Sequence, residues 1–504
     1  MLKWIQVLVF TAIVVAIGYF SYVIWEGRII TTFSLFVTIS AVLIGFIIFI
    51  ENRDPSQTLN WILVFAAFPV LGFFFYLIFG RNYQKRKRYD EKQEQDEEAF
   101  SKIEGKRPIQ EEELNQMGDH QKMFFRLAHH LGSSPVSFGS DTWVLTNGSE
   151  KFSKLLEALK EARHHIHLEY YIVRHDEIGQ EIKDILIEKA KEGVEVRFLY
   201  DAVGSWQLSE GYKHDLREAG VHLKAFAPVK LPFIGNRINF RNHRKIVVVD
   251  GEQGFMGGLN IGDEYLGRTA QFGEWRDTHL YVRGEAVRTL QLIFLQDWYY
   301  ETNESLLTQN YLSPEMVVTN NQAGGVQMIA DGPDTQWENI KKLYFSMIIS
   351  AKKSIWIASP YFIPDDDILT ALKVASLSGV DVRLIMPSVP DKRIVFYASR
   401  SYYPELMEAG VTVYEYGRGF LHSKIMIVDE ELASIGTSNM DMRSFHLNFE
   451  VNAFLFRTDS TVKLVEDFQR DLNESHEIDP AQFNQRSIFI RVMESLFRLL
   501  SPLL

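Results

Sequence analysis

No cysteine occurs among the 504 residues. That absence removes disulfides, thiolate nucleophiles and thiolate metal sites together, so a disulfide-stapled secreted domain and a zinc finger are both excluded. An excess of positive charge is missing too: 53 Lys and Arg face 65 Asp and Glu, for a net charge of −12. An acidic balance opposes a broad basic face for nucleic acid. Hydrophobic residues, at 46%, are ordinary in amount but uneven in place, because residues 1–80 are almost continuously apolar. At roughly 100–200 residues per domain, the length accommodates about three units.

Three apolar stretches open the chain, Leu2 to Trp25, Ile29 to Ile50 and Trp61 to Gly80. A helix rises about 1.5 Å per residue, so each stretch is long enough for an apolar layer of about 30 Å. A cleaved signal peptide fits the first poorly, since no small-x-small cleavage pattern follows and a second apolar run begins at once. Pro69 and Gly72 interrupt the third stretch, which therefore either kinks across or re-enters. Two crossings would leave the amino terminus inside and three would leave it outside. The basic run Arg81-Asn82-Tyr83-Gln84-Lys85-Arg86-Lys87-Arg88 follows directly. The positive-inside bias assigns that flank and everything after it to the cytosol, and the cluster attracts anionic headgroups. The expectation is a multi-pass cell-membrane protein whose soluble part is cytoplasmic.

From Tyr89 to about Gln121 the composition turns to Glu, Gln, Lys and Asp, which reads as a solvated helix or tether within 81–133. Beyond it, β-rich runs such as Val194 to Tyr200 and Val380 to Met386 alternate with amphipathic stretches, an α/β pattern. An internal repeat emerges when these runs are aligned. Gly193 to Arg197 (GVEVR) matches Gly379 to Arg383 (GVDVR), Glu218 to Val221 matches Glu408 to Val411, and Tyr171 to Val173 matches Tyr361 to Ile363. Two related mixed-sheet halves, 134–315 and 316–504, are expected to pack as a sandwich about a pseudo-two-fold axis, after the helical membrane region 1–80.

Each half carries the same constellation. His243-Arg-Lys245 leads through an apolar run to Asp250, then Gly257, Gly258 and Asn260; His422-Ser-Lys424 leads to Asp429, then Gly436, Thr437 and Asn439. The two strings share one spacing throughout. On a strand, residues two apart share a face, so His243 with Lys245 and His422 with Lys424 would point together. The glycines permit a tight return that brings Asn260 or Asn439 alongside. If the halves meet, two imidazoles, two ammoniums and two carboxamides surround one place.

Such a set suits a phosphodiester. Lys245 and Lys424 would neutralise the non-bridging oxygens, and Asn260 and Asn439 would donate further hydrogen bonds. One histidine attacks phosphorus while the other protonates the leaving alkoxide and later deprotonates the incoming alcohol. Protein cations fill the place of a divalent ion, so neither metal nor cofactor is expected.

The two strings resemble the HxK(x)4D signatures of the phospholipase D superfamily. The resemblance implies a covalent phosphohistidine, a ping-pong course, His243 as nucleophile, and structural rather than proton-transferring roles for Asp250 and Asp429 within the catalytic motifs. It also implies a later carboxylate in each half orienting the histidine, with Glu274 and Glu450 at the matching positions. Asn52-Arg-Asp-Pro55, Phe68-Pro-Val-Leu-Gly72, Ala358-Ser-Pro-Tyr-Phe-Ile-Pro364 and Asn439-Met-Asp-Met-Arg-Ser-Phe445 are similar to bacterial cardiolipin synthases. That likeness implies phosphatidylglycerol and other membrane phospholipids as partners, with cardiolipin and glycerol as products. A phospholipase D that prefers water and a synthase that uses phosphatidylethanolamine are the alternatives. Nothing in the sequence bears on oligomeric state.

His164, His165, His167, His129, His130 and His446 are expected to be packing or surface residues. Ile488 to Leu500, with Arg491, Glu494 and Arg498 at helical intervals, is expected to be an amphipathic helix. Packing of its apolar face into the core is the first reading, and lying on a membrane is the alternative.

Overall fold

The computed structural model describes residues 117–228, 239–269, 273–312, 324–335 and 337–504, with 55–68 and scattered positions between 31 and 114. It divides into two compact units, residues 1–84 with 233–236, and residues 85–232 with 237–504. In the first unit a helix, Pro55–Ala67, ends two residues before Pro69. Its Trp61 meets Tyr76 edge-on at 5.2 Å. Among the described residues no helix is long and apolar enough to cross a membrane. Leu2 to Trp25, and half of the other two apolar stretches, lie outside the described residues.

The second unit holds two mixed sheets. The first comprises β1 (Ser140–Thr146), β2 (His165–Tyr170), β3 (Glu195–Asp201), β4 (His222–Phe226), β5 (Ile246–Val249), β6 (Gln253–Gly257) and, after the short β7 (Glu274–Arg276), β8 (Thr278–Gly284). Its spatial order is β1-β8-β6-β5-β2-β3-β4. The second comprises β9 (Gly325–Asp331), β10 (Ser354–Ala358), β12 (Asp381–Pro387), β13 (Thr412–Tyr416), β15 (Ile425–Val428), β16 (Leu432–Gly436), β18 (Glu450–Phe456) and β19 (Ser475–Glu477). Interleaved with them are the short β11 (Phe362–Ile363), β14 (Gly419–Leu421) and β17 (Met440–Asp441). Read from β9, the second order is β9-β18-β16-β15-β10-β12-β13-β19, the first order with one strand added. The duplication seen in the sequence is thus a duplication of topology. Helices Glu177–Lys191 and Asp366–Leu377 make the equivalent parallel crossovers, from β2 to β3 and from β10 to β12.

The sheets pack face to face, and the two motif strands show why their sequences are unbroken apolar runs. Ile246 and Val248 of β5 join Ile425 and Ile427 of β15 in the core between the sheets. Their alternates Val247 and Val249, and Met426 and Val428, enter the cores on the outer faces. A strand covered on both faces has no position for a polar residue.

The charged segment 81–133 departs from the expectation of a solvated tether. Lys92 is buried between Asp297, at 3.4 Å, and Asp334, at 2.8 Å. Leu114 and Met117 are buried in the core of the second half. Helix Asp119–Gly132 sets Phe124 and Phe125 against Phe454 and Phe456 of β18. Its apolar positions were too few to stand out beside the charge, yet they cover the outer face of the second sheet. The helix Ile488–Arg498 also departs from the first reading, because its apolar face is turned outward.

Candidate active site

The motif histidines and lysines lie in extended residues that lead into β5 and β15 rather than within those strands. What fixes them is a crossing of the chain at the seam between halves. The His243 N–H donates to the Phe449 carbonyl at 2.9 Å, and the His422 N–H donates to the Arg276 carbonyl at 2.7 Å. Asn242 bridges Phe449, while β14 runs parallel to β7. Each motif is therefore strapped to the segment of the other half that enters β8 or β18.

The next residue along each strap is a carboxylate. Glu450 meets His243 Nδ1 at 3.0 Å, and Asp277 meets His422 Nδ1 at 2.6 Å. Both carboxylates are fully buried. This arrangement corrects the assignment of Glu274. Its carboxylate instead accepts from Arg418 at 2.8 Å and from Asn147 at 3.2 Å. It also corrects the idea that each half orients its own histidine, since Glu450 of the second half holds His243 of the first.

Sheet register explains the slip. Gly257 pairs with His279 and Gly436 with Asn452, so the equivalent carboxylates stand two residues before each partner, at Asp277 and Glu450. Between Asn260 and Asp277 the first half carries a longer loop with a 3-10 turn, Asp263–Leu266. Asparagine and carboxylate are 11 residues apart in the second half and 17 in the first, so the Glu274 implied by the resemblance falls three residues short of Asp277.

A carboxylate that accepts from Nδ1–H fixes the tautomer and leaves Nε2 with the ring's lone pair. The side chains of His243 and His422 are only 12% and 11% exposed, so an edge of each ring is reachable. Tyr171 stands edge-on to His243 at 5.0 Å, and Trp275 lies 5.1 Å from His422. Lys245 and Lys424 each donate to the carbonyl of their own motif histidine at 2.5 Å, and Lys424 Nζ also lies 3.2 Å from His422 Nε2.

Burial pushes the His243 imidazole down to about 4, with Lys245 and Lys424 adding to the push and Glu450 opposing it. Burial, then Lys424, takes His422 to about 4 against Asp277. Burial also lowers Lys245 to about 7 and Lys424 to about 8, with the facing carboxylates opposing. It would raise Glu450 and Asp277, but the cations beside them hold both below the ordinary carboxylate range. Lys424 acts on both His243 and Lys245, so the two sets share one electrostatic site.

Asp250 and Asp429 stand away from the histidines. Asp250 accepts from the backbone N–H groups of Arg163, His164 and His165 at 2.8–2.9 Å, and Asp429 from those of Lys352, Lys353 and Ser354 at 2.7–3.0 Å. Both have positive φ, 55° and 53°, in the tight turn that ends the motif strand. Each clamps the start of the neighbouring strand. The asparagines differ from one another. Asn260 accepts from the Ile172 N–H at 3.0 Å and donates to the Tyr265 hydroxyl at 3.1 Å. The Asn439 side chain bonds the Asp441 carboxyl, and its Oδ1 is buried without a partner.

The residue pairs after each motif strand also differ. Thr437 donates to Glu450 at 2.5 Å, while at the equivalent Gly258 a Cβ would fall 2.1 Å from Asp277 Oδ1. Glycine there is a requirement of the carboxylate. His165 and His167 are buried in β2, where His167 stacks on Phe294 at 4.5 Å. Among the described residues no group of three His, Asp or Glu is arranged to hold a metal ion.

A family model described as cardiolipin synthase, phospholipase D-like domain, matches this chain twice, over residues 155–298 and 344–472. The chain belongs to the cardiolipin synthase family. The two matches contain one histidine–lysine motif each. A second model, phospholipase D-nuclease N-terminal, covers residues 38–81. The chain is 65% identical to a cardiolipin synthase of Alkalihalophilus pseudofirmus and 63% identical to one of Halalkalibacterium halodurans, each over 99% of both chains. In fold it is similar to phosphatidylserine synthase of Haemophilus influenzae, with a TM-score of 0.56 and 15% identity over 76% of this chain and 100% of that one.

Proposed function

We propose that this member of the cardiolipin synthase family transfers a phosphatidyl group between two phosphatidylglycerol molecules, giving cardiolipin and glycerol. The crossed pair of imidazoles, each held through Nδ1 by the other half's carboxylate with a lysine beside it, carries the reading. In the first step His243 Nε2 forms a bond to phosphorus and the bond to the headgroup glycerol breaks. The proton on His422 Nε2 goes to the departing alkoxide. In the second step a headgroup hydroxyl of another lipid gives its proton to His422 and bonds to phosphorus, and the histidine–phosphorus bond breaks.

Both imidazoles are neutral near pH 7, which suits a nucleophile. An entering phosphodiester brings negative charge, which raises His422 toward the protonated form that the first step needs. Lys245 and Lys424 counter the charge on the non-bridging oxygens. Asp250 and Asp429 hold the motif strands in place, and Asn260 and Asn439 would each offer a phosphate oxygen the amide N–H not engaged with Tyr265 or Asp441. One phosphodiester replaces another, so no nucleotide is consumed.

The apolar stretches within residues 1–80 anchor the chain at the cell membrane, and the basic run Arg81 to Arg88 places the two halves on the cytoplasmic side. At the bilayer, lipid hydroxyls outnumber other alcohols locally, which favours transfer over hydrolysis. The test is incubation of the purified full chain with phosphatidylglycerol vesicles. Cardiolipin with equimolar glycerol supports the proposal; phosphatidic acid as the main product refutes it in favour of hydrolysis. A labelled phosphatidyl adduct trapped on the wild-type chain but not on His243→Ala would support His243 as the nucleophile.

A further inference from the structure

A helix on the surface of a soluble protein turns its apolar stripe inward. Helix Ile488–Arg498 does the reverse. Ile488, Phe489, Val492, Leu496 and the following Leu499 are each more than half exposed, up to 79% at Ile488. Its inward face carries a buried carboxylate beside Phe497, which packs on the core. Glu494 is buried, bonded to Arg486 at 2.8 Å and near Arg400 at 3.8 Å. Arg498 stacks over Tyr402 at 4.2 Å and pairs with Glu405 at 2.6 Å. Helix Arg393–Arg400, which packs against it through Tyr397 and Phe497 at 6.0 Å, has exposed Ile394 in its first turn, and Val389, four residues before the helix, is exposed too.

Charge selects what this face can meet. Between Gln485 and Leu503 the only acidic residue is Glu494, which is buried and paired, although the whole chain has a net charge of −12. Exposed Lys392, Arg393 and Arg491 border the apolar residues. Apolar side chains rimmed by basic ones, without an exposed carboxylate, complement an anionic lipid surface.

The patch is also continuous with the active site. Asp391, beside Lys392, accepts from the Tyr361 hydroxyl and acts electrostatically on His422 and Lys424. At the other end of the patch, the Leu504 carbonyl accepts from the Arg443 N–H at 2.9 Å. Arg443 is the second residue of the short helix Met442–His446, four residues after motif Asn439.

We propose that helix Ile488–Arg498, with Val389 and Ile394, is a second membrane contact. It lies in the interface of an anionic phospholipid bilayer with its apolar side in the acyl boundary, independently of residues 1–80. It holds the mouth of the site against the leaflet from which a phospholipid enters.

The lack of native cysteine makes the test direct. Val492→Cys and, separately, Glu181→Cys, on the exposed side of helix Glu177–Lys191, each give a single labelling site. The full chain, labelled with an environment-sensitive fluorophore, is reconstituted in mixed phosphatidylglycerol–phosphatidylcholine vesicles and in phosphatidylcholine alone. With phosphatidylglycerol present, iodide should quench the label at Val492 at least fivefold less than at Glu181, and a nitroxide on the lipid chains should quench it. In phosphatidylcholine alone that protection should fall at least twofold. Iodide quenching at Val492 equal to that at Glu181 overturns the proposal. Protection from iodide without quenching by lipid nitroxide overturns it too, since a second copy or another protein then covers the face. Equal protection in both vesicles overturns the anionic preference.

Discussion

Replacing Asp277 by Asn separates the structural assignment from Glu274, the one implied by the resemblance. Asp277 accepts from His422 Nδ1 at 2.6 Å and from the Thr278 N–H at 2.7 Å, and it supports the charge on Lys424. An amide of the same shape keeps the packing but no longer selects the Nδ1–H tautomer. Loss of a tautomer-fixing carboxylate lowers turnover by about 10⁴-fold in the best-studied hydrolytic triad, or about 5 kcal/mol in the barrier. A loss of about 10³–10⁴-fold in cardiolipin formation is therefore expected. A second effect works in the same direction. Lys424 is already at about 8 through burial, and without Asp277 it falls further, so the ammonium is lost near neutral pH and the residual activity should peak at lower pH than wild type. Shedding that proton also limits the destabilisation, which would otherwise approach the roughly 3–5 kcal/mol of an unpaired buried charge. The control is Glu274→Gln. Glu274 pairs with a 58% exposed Arg418, a contact worth about 0–1 kcal/mol, so activity should stay within a few-fold. Radiolabelled phosphatidylglycerol turnover, with thermal unfolding of each variant as a check on folding, reads both. Near-normal turnover in Asp277→Asn, or an equal collapse in Glu274→Gln, would refute the crossed arrangement.

Three further outcomes are expected. Gly258→Ala should lower turnover at least 100-fold while cooperative unfolding persists, because its Cβ would displace Asp277, 2.1 Å away; a fully active variant would show that the carboxylate need not sit there. Asp250→Ala and Asp429→Ala should each cost about 1–3 kcal/mol in denaturant unfolding, as three backbone N–H groups lose their acceptor. Turnover of the molecules that remain folded should stay within a few-fold, and a selective loss of turnover would give these aspartates a chemical role. The pH profile of kcat/KM should be a bell. A neutral His243 is lost as pH falls toward about 4, and the ammonium forms of Lys245 and Lys424 are lost as pH rises through about 7 to 8; activity flat to pH 10 would remove the lysines from charge neutralisation.

The sequence carried the architecture because the motif strands are short and covered on both faces. Continuous apolar runs such as Ile246 to Val249 and Ile425 to Val428 mark such strands at once, and their repetition implied two like sheets. The histidines and lysines were legible through identical local spacing. Spacing says nothing, however, about which half a partner comes from. The crossing of Glu450 to His243 depends on a tertiary strap between Asn242 and Phe449, more than two hundred residues apart, and no local pattern records it. Asp277 escaped for a smaller reason, a stretch between Asn260 and Asp277 six residues longer than its counterpart in the second half. Burial of Lys92 was hidden because its partners Asp297 and Asp334 lie far along the chain, and a lone lysine among many charges looks solvated.

Exchange of the two carboxylates between halves has a consequence for biosynthesis. While the ribosome is still making the second half, His243 has already emerged without Glu450, and Asp277 has emerged with no His422 to hold. A truncated or proteolytically clipped product is in the same condition. A product that stops before Glu450 lacks the carboxylate that holds His243, and the first half alone has no second motif histidine. Both histidine–carboxylate pairs are complete only once the chain has passed Glu450.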